Sequence, residues 1–183
     1  DDFHPCQLLA DLMTIRERKG QLPGLKIAFF GDGGSNMAQS YLLAGSTAGM
    51  HVRIACPAEF VPNPSVVRDA EQLATRAGSS ILVTTDPYRA LLDADVVVTD
   101  TWVSMGKEGE KQNRVRKLRP FQVDESLMAK AASEAIFMHC LPADRGYEVS
   151  PEVIDGPQSV VWDQSENRLH AQKALLVWLL RRS

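Results

Sequence analysis

The sequence predicts an α/β fold with a doubly wound, mostly parallel sheet and helices on both faces. Short apolar runs alternate with segments of helical periodicity along the whole chain, which is typical of parallel strands joined by helices. The sequence contains no internal repeats and no low-complexity tracts that would indicate another architecture. The least ordinary loop sequences fall where the predicted strands end, and such sheets place their ligand crevice there.

The predicted boundaries follow from prolines, glycines and apolar spacing. Pro5 suits the first position of a helix, apolar residues follow at helical spacing, and Gly20 ends the helix. Further helices are predicted over 35–48, 62–77, 87–92, 124–132, a short one near 151, and 165–181. Strands are predicted over 25–30, 51–55, 80–84, 95–99, 135–139 and 159–162. The polar stretch 100–120 is too long for an ordinary connection and is predicted to be a functional or mobile loop.

Composition excludes several classes of protein. The 183 residues carry 20 Lys and Arg against 23 Asp and Glu, a formal net charge of −3, so a broad basic surface for nucleic acid is lacking. The longest apolar run, 174–180, is shorter than the roughly 20 residues that a membrane span requires. The three cysteines, Cys6, Cys56 and Cys140, have wide and irregular spacing that does not indicate a disulfide framework. We therefore expect a cytoplasmic protein without nucleic-acid or membrane partners.

The two ends of the sequence indicate a longer parent protein. The chain starts without Met, has no signal-peptide apolar core, and leads directly into a helix. The last helix is apolar nearly all round over 175–180, so it needs burial on more than one side. We therefore expect this chain to be one domain of a two-domain protein.

The segment GDGGSN at 31–36 follows a strand and opens a helix, as a dinucleotide-binding turn does. It departs from that motif at Asn36, where Gly or Ala is required, and the second strand runs into ACP at 55–57 without an acid for a ribose hydroxyl. An NAD-binding Rossmann domain is therefore the disfavoured alternative. The preferred interpretation is a tight glycine turn followed by a polar ligand site that uses Asn36.

The motif HPCQ at 4–7 stands at a helix N-terminus, where backbone N–H groups and the helix dipole favour an anion. His4 and Gln7 can both reach a polar carbonyl at that end. The plain alternative is a capped helix start. A zinc site made of His4, Cys6, His139 and Cys140 is a third interpretation, but metal-ligand spacing does not support it.

Three more loops bring polar side chains to the predicted crevice. Asp100 ends a buried strand as a carboxylate able to bind an ammonium group, and 104–106 can present backbone groups beside it. Cys140 ends the next strand and faces the crevice, while His139 points to the opposite face. Arg168 adds a fixed positive charge in the first turn of the last helix. The structural alternatives are a cap for Asp100, a small apolar residue for Cys140 and a surface ion pair for Arg168.

Together these motifs resemble the ornithine carbamoyltransferase family, specifically its ornithine-binding half. The motifs are HPCQ at 4–7, GD at 31–32 with NM at 36–37, DTWVSMG at 100–106, HCLPA at 139–143 and ENRLH at 166–170. They cover essentially the whole chain in the family's order. The SMG loop and the cysteine of HCLP resemble the ornithine branch rather than the aspartate branch.

The resemblance implies transfer of a carbamoyl group from carbamoyl phosphate to the δ-amine of L-ornithine, a reaction of arginine biosynthesis and of the urea-cycle type, without a metal or organic cofactor. It implies that carbamoyl phosphate is bound by His4, Gln7, Cys140, Leu141 and Arg168, and ornithine by Asn36, Asp100, Ser104 and Met105. It assigns catalysis to His4, Asp100, Cys140 and Arg168. These residues would position the reactants and stabilise a tetrahedral intermediate between the two substrates, without a covalent bond to the enzyme.

The family's phosphate cradle, a Ser-Thr-Arg-Thr run on a separate carbamoyl-phosphate domain, does not occur in the sequence. We therefore expect no turnover from this chain by itself. The expected organisation is an inter-domain helix at 1–20, an ornithine-binding α/β domain at 21–164, and a helix at 165–183 that packs on the missing domain. The family implies a parent homotrimer or multiple of trimers, with this chain a monomer or associating through 175–180. A non-catalytic module that binds an amino acid in the same crevice stays open as an alternative.

Overall fold

The computed structural model describes residues 2–103, 109 and 111–181. Within these residues, five parallel strands form one sheet in the order β3-β2-β1-β4-β5, which confirms the predicted doubly wound architecture. The strands are β1 Lys26–Phe30, β2 His51–Ala55, β3 Ile81–Thr84, β4 Val96–Thr99 and β5 Ile136–His139. The helices are α1 Pro5–Lys19, α2 Asn36–Thr47, α3 Pro64–Ala77, α4 Pro87–Leu91, α5 Lys111–Leu118, α6 Glu125–Met128, α7 Pro151–Ile154 and α8 Val161–Leu180.

The strand order reverses at β1, and this reversal locates the crevice. β1 pairs with β2 on one side and with β4 on the other, so the chain winds outward in both directions from one central strand. Phe30, the last residue of β1, is in register with Ala55 and with Thr99, so the carboxyl ends of neighbouring strands coincide. In such sheets the loops that leave this point diverge and open a crevice between them.

Alternating strand residues supply two separate hydrophobic cores. Ile27 and Phe29 point to the face that α1, α2 and α3 cover, whereas Ala28 and Phe30 point to the face that carries α4, α6 and α7. This follows from the two-residue period of a strand, which sends successive side chains to opposite faces. Both faces of β1 and β4 are thus buried, which explains why these two strands are mostly apolar.

The helix α8 packs along α1 through polar contacts near its N-terminus and exposes a long apolar surface beyond them. Asn167 Nδ2 donates to Thr14 Oγ1 over 3.0 Å and to a Glu17 carboxylate oxygen over 2.8 Å. The large apolar side chains that α8 exposes are Trp162, Leu169, Leu176, Val177, Trp178, Leu179 and Leu180. Among the described residues, no helix combines the length and apolarity needed to cross a membrane.

Three sequence predictions were wrong in detail. The apolar run 159–162 is not a strand: Ser159 makes one isolated bridge to Phe137, and α8 begins at Val161 rather than at 165. Val160 and Val161 are buried in the two different cores, so this helix start is apolar on both sides and resembles a buried strand. The stretch 100–120 contains α5, a helix that the sequence hides because its residues are mostly polar. The helix predicted over 124–132 is the short α6.

Gly45 allows α2 to lie close to β2, and this contact yields a stability prediction. A Cβ at position 45 would stand 2.6 Å from Val52 Cγ2, on a stiff β-branched side chain. We expect Gly45→Ala to lower the free energy of unfolding by about 1–2 kcal/mol, although alanine is the better helix former. Urea unfolding of Gly45→Ala, Val52→Ala and the double variant measures the free energy of unfolding of each. If the two residues clash, the double variant should lose less stability than the sum of the two single losses. A loss equal to that sum would contradict the proposed clash.

Candidate functional site at the carboxyl edge of the sheet

Asp100 and Cys140 meet where two neighbouring strands end. Thr99 in β4 and His139 in β5 are in register, so the residues that follow them lie side by side. Cys140 Sγ donates to Asp100 Oδ1 over 3.2 Å, and the same oxygen accepts from the backbone N–H of Thr101 over 2.8 Å. Burial, followed by the negative charge of Asp100, raises the pKa of the Cys140 thiol far above its usual range. Cys140 is therefore a neutral hydrogen-bond donor at physiological pH rather than a thiolate nucleophile.

His139 points away from this pair, as the alternation of strand side chains predicts. Its fully buried ring accepts from the Leu141 backbone N–H at Nδ1 over 2.9 Å, while Nε2 lies 3.4 Å from Glu148 Oε1. Leu141 has a positive φ of 57°, a conformation that costs energy for a branched side chain and that the His139 hydrogen bond helps to hold. His139 thus helps to fix the backbone of the loop that contains Cys140.

His139 and Cys140, two of the four residues considered as zinc ligands, do not converge. His139 turns toward Glu148 while Cys140 turns toward Asp100, so the two candidate ligands face different partners. Across the described residues, no group of three or more His, Cys, Asp or Glu side chains is arranged to hold a metal ion.

His4 stands at the N-terminal end of α1 and faces the same edge. Its backbone N–H donates to Ser40 Oγ over 2.8 Å, which fixes the start of α1 against α2. Burial and the positive charge of Arg168 lower the pKa of His4, and the negative charge of Asp100 opposes them. The imidazole is therefore neutral at pH 7, with one N–H to donate and one lone pair to accept.

Arg168 reaches this edge from α8 and is held by two glutamine amides. Its Nη1 donates to Gln7 Oε1 over 2.9 Å. The amide oxygen of Gln172, turned toward the guanidinium, accepts from Nη2 and Nε over 3.2 Å each. Arg168 and Cys140 line one open groove together with Ser165, Leu169 and Gln172. A guanidinium held in this way presents a fixed positive charge to an anion in that groove.

The buried carboxylate of Asp11 lies beneath the site and was missed by sequence reasoning. Its side chain is fully buried in α1 and accepts hydrogen bonds from Tyr41, Gln7 and Gln164. Burial raises the pKa of Asp11 to about 6, against the lowering effect of these three bonds. An Asp four residues after Gln7 on a helix is a weak signal, because its other two partners lie on α2 and α8.

A second missed residue is Arg114, which closes the side of the crevice formed by the loop after β1. From α5, its Nε donates to the Trp102 carbonyl over 2.7 Å and its Nη2 forms an ion pair with Asp32. Its guanidinium also lies 4.8 Å from the centre of the Phe60 ring. Arg114 is one of six Lys and Arg residues in the sequence stretch 100–120, and the sequence does not distinguish it from the others.

The glycine turn after β1 packs closely against the segment that contains Phe60. A Cβ at Gly33 would stand 2.7 Å from the Phe60 carbonyl oxygen and 2.9 Å from Cys56 Sγ. Ser35 caps α2 by accepting from the Ala38 N–H over 3.2 Å, and half-buried Asn36 is the first residue of that helix. Asn36 therefore lies beyond the carboxyl end of β1, the position that the sequence predicts for it. Of the other candidates, Ser104 and Met105 lie outside the described residues.

A comparison with models of known protein families identifies the family. The family model described as "Aspartate/ornithine carbamoyltransferase, Asp/Orn binding domain" matches residues 23–179. The chain therefore belongs to the aspartate/ornithine carbamoyltransferase family and contains its aspartate/ornithine-binding domain, which confirms the resemblance seen in the sequence.

The similar proteins include ornithine carbamoyltransferases and an N-acetyl-L-ornithine transcarbamylase. An ornithine carbamoyltransferase of Clavibacter michiganensis is 67% identical over all of this chain, which covers 60% of that protein. A solved ornithine carbamoyltransferase of Pyrococcus furiosus superposes with a TM-score of 0.92 at 51% identity, over 96% of this chain and 56% of the other. An N-acetyl-L-ornithine transcarbamylase structure superposes with a TM-score of 0.83 at 32% identity, over 95% and 55% of the two chains. The chain thus spans about 60% of the length of its curated relatives.

The raised pKa of Asp11 predicts how stability depends on pH. The folded state holds this proton more tightly than the unfolded chain, whose Asp has a pKa near 3.8. The stabilisation is thus fully present below about pH 4 and is lost as pH rises through 6. The variant Asp11→Asn has no such proton, so only the parent loses this stabilisation as pH rises. We therefore expect the difference in free energy of unfolding, Asp11→Asn minus parent, to rise by about 2–3 kcal/mol between pH 4 and 7. Urea unfolding at both pH values measures it, and a difference independent of pH would contradict it.

The Asp100–Cys140 contact predicts the reactivity of the thiol. Removing the charge of Asp100 lowers the pKa of Cys140, so we expect Asp100→Asn to speed alkylation of Cys140 at pH 8 by about tenfold, the effect of one pKa unit. Peptide mapping after iodoacetamide treatment measures the rate. Cys56, whose pKa burial raises to about 11, is the internal control and should keep its rate. An unchanged Cys140 rate would argue against the contact.

Proposed function

We propose that this chain supplies the ornithine-binding half of an ornithine carbamoyltransferase, which transfers a carbamoyl group from carbamoyl phosphate to the δ-amine of L-ornithine and yields L-citrulline and phosphate. The observation that carries the proposal is the juxtaposition at one sheet edge of Asp100 hydrogen-bonded to Cys140 and of Arg168 held by Gln7. The first pair offers negative charge to an amine, and the second offers positive charge to an anionic group. High identity to enzymes of that name supports the choice of substrates.

In the proposed reaction, Asp100 attracts and orients the δ-amine of ornithine, with its carboxylate fixed by the Cys140 thiol. The neutral amine attacks the carbamoyl carbon, so a C–N bond forms and a tetrahedral intermediate results. The C–O bond to phosphate then breaks, and the proton that the nitrogen gives up leaves with the phosphate. Charge builds on the carbonyl oxygen, where neutral His4 donates a hydrogen bond and Arg168 adds a positive charge. The loop of Cys140 and Leu141 completes the carbamoyl end. No covalent intermediate is required, since positioning and electrostatics carry the step.

The remaining roles extend this proposal residue by residue. Gln7 is fully buried and already accepts from Arg168, so its second oxygen lone pair is the one available to the carbamoyl amide. We assign Asn36, Ser104 and Met105 to the amino-acid end of ornithine, beyond Asp100. We propose that no metal or organic cofactor takes part.

We further propose that phosphate is bound by a separate domain and that the exposed apolar surface of α8 packs on it. In this arrangement α1 is an inter-domain helix, α8 is the covering helix from Val161 onward, and the elements between them form the ornithine-binding domain. We propose that the chain by itself does not turn over substrate. The exposed side chains of Leu176 and Leu180 support that assignment. We propose a cytoplasmic location, with the free cysteines as support, and a trimer or multiple of trimers for the complete enzyme.

Ligand titration tests the proposal. Calorimetry of the chain with L-ornithine should give weak binding that Asp100→Ala abolishes, because the ammonium loses its carboxylate. N-acetyl-L-ornithine should bind more weakly than L-ornithine, and a bisubstrate analogue that joins a phosphonate to ornithine should bind more tightly. The matched control is Asp93→Asn, which removes an exposed carboxylate next to the other end of β4 and should leave affinity unchanged.

The outcomes separate the candidate functions. Ornithine binding that survives in Asp100→Ala, or preference for the acetylated amine, would contradict the assigned site or substrate. Binding of NAD instead of either ligand would support the Rossmann alternative. Ornithine binding with no gain from the phosphonate would favour a non-catalytic amino-acid-binding module.

A further inference from the structure

We infer that Asp11 is a positioning residue: its carboxylate fixes the orientation of two glutamine amides, and those amides hold Arg168 and the backbone ahead of Cys140 in place. Asp11 does not line the groove beside Arg168, and it takes no part in the hydrogen bond between Asp100 and Cys140. It acts through Gln7 and Gln164. The inference rests on the proposed carbamoyl transfer, since the groups it positions are the ones assigned to that reaction.

Three side chains donate hydrogen bonds to the Asp11 carboxylate. Asp11 Oδ1 accepts from Gln7 Nε2 over 2.8 Å and from Gln164 Nε2 over 2.7 Å. Asp11 Oδ2 accepts from the Tyr41 hydroxyl over 2.5 Å. All four side chains are buried, and the donors come from α1, α2 and α8. An ionised carboxylate can only accept, so it requires the NH₂ end of both amides to face it.

These hydrogen bonds also determine what the oxygen of each amide faces. With its NH₂ group held by Asp11, Gln7 must present its oxygen outward, and Arg168 Nη1 donates to that oxygen over 2.9 Å. In the same way Gln164 presents its oxygen to the backbone N–H of His139 over 2.9 Å. His139 directly precedes Cys140 in the chain. One carboxylate therefore sets the donor and acceptor directions on both sides of the crevice.

Without the Asp11 carboxylate, nothing would fix the orientation of the two amides. A glutamine amide can rotate by half a turn with little change of shape, which exchanges its oxygen and NH₂ group. After such a rotation at Gln7, an N–H donor would face the guanidinium, which itself has only donors. At Gln164, a donor would face the His139 N–H. Both contacts would turn from attractive to repulsive in a buried setting, and Arg168 would lose its fixed position.

The experiment uses two substitutions at Asp11 and a matched control. Asp11→Asn keeps one carbonyl oxygen for both amides, while its NH₂ group can donate to Tyr41, whose oxygen is able to accept. Asp11→Leu removes every acceptor. Thr14→Val is the control: Thr14 is one turn along α1, is equally buried and accepts from Asn167 of α8, but is hydrogen-bonded to neither glutamine.

The readout is calorimetric affinity for the phosphonate–ornithine bisubstrate analogue, with circular dichroism to confirm folding. We expect Asp11→Leu to weaken binding by about tenfold or more, and Asp11→Asn and Thr14→Val to stay within about threefold of the parent. A folded Asp11→Leu variant with parental affinity would overturn the inference. So would an equal loss in Thr14→Val, since any buried polar bond between α1 and α8 would then suffice.

A second measurement separates this inference from the proposed function. In ¹⁵N-glutamine-labelled chain, the side-chain NH₂ protons of Gln7 and Gln164 should exchange slowly with solvent in the parent and in Asp11→Asn. This observation needs no ligand, so it stands even where the parent binds no analogue and the proposed function fails. Fast exchange in the parent would overturn the inference. Where Asp11→Leu does not fold, Gln164→Met replaces it and should weaken analogue binding about threefold or more; unchanged affinity there overturns the inference as well.

Discussion

The site depends on the in-register parallel pairing of β1, β4 and β5. Since Phe30, Thr99 and His139 lie at one level across the sheet, each residue that follows them emerges at the same edge. This is why Asp100 and Cys140, 40 positions apart in the chain, come within hydrogen-bond distance. A slip of one residue in either pairing would turn the side chains to the opposite face and remove the pair.

The polar seam between α1 and α8 brings the opposite charge to that edge. These helices stand near the two ends of the chain, and Arg168 meets Gln7 across 161 positions. Asn167 and Gln164 make further buried polar bonds to α1, so the register of the two helices is fixed by directional contacts. Apolar packing by itself would allow the helices to slide, whereas unsatisfied buried polar groups would penalise that movement.

Burial then sets the protonation states in a way that suits non-covalent chemistry. The raised pKa keeps Cys140 a thiol, and the lowered pKa keeps His4 a neutral imidazole. The side chains of Asp100 and Arg168 lie at the same crevice. Such a site can orient an amine and polarise a carbonyl without forming a bond to either, which is the requirement of a transfer between two bound substrates.

The α/β class and the loops that form the crevice can be predicted from the sequence, because alternation, prolines and glycines act over a few neighbouring residues. Asp100, Cys140, His4 and Arg168 are also candidates from the sequence, through their positions at strand and helix ends. Three features emerge only from the folded chain: Asp11 underlies both halves of the site, Arg114 holds the loop of Asp32, and a helix begins at Val161. Each depends on contacts between elements far apart in the chain, and such contacts leave no periodic signal in the sequence.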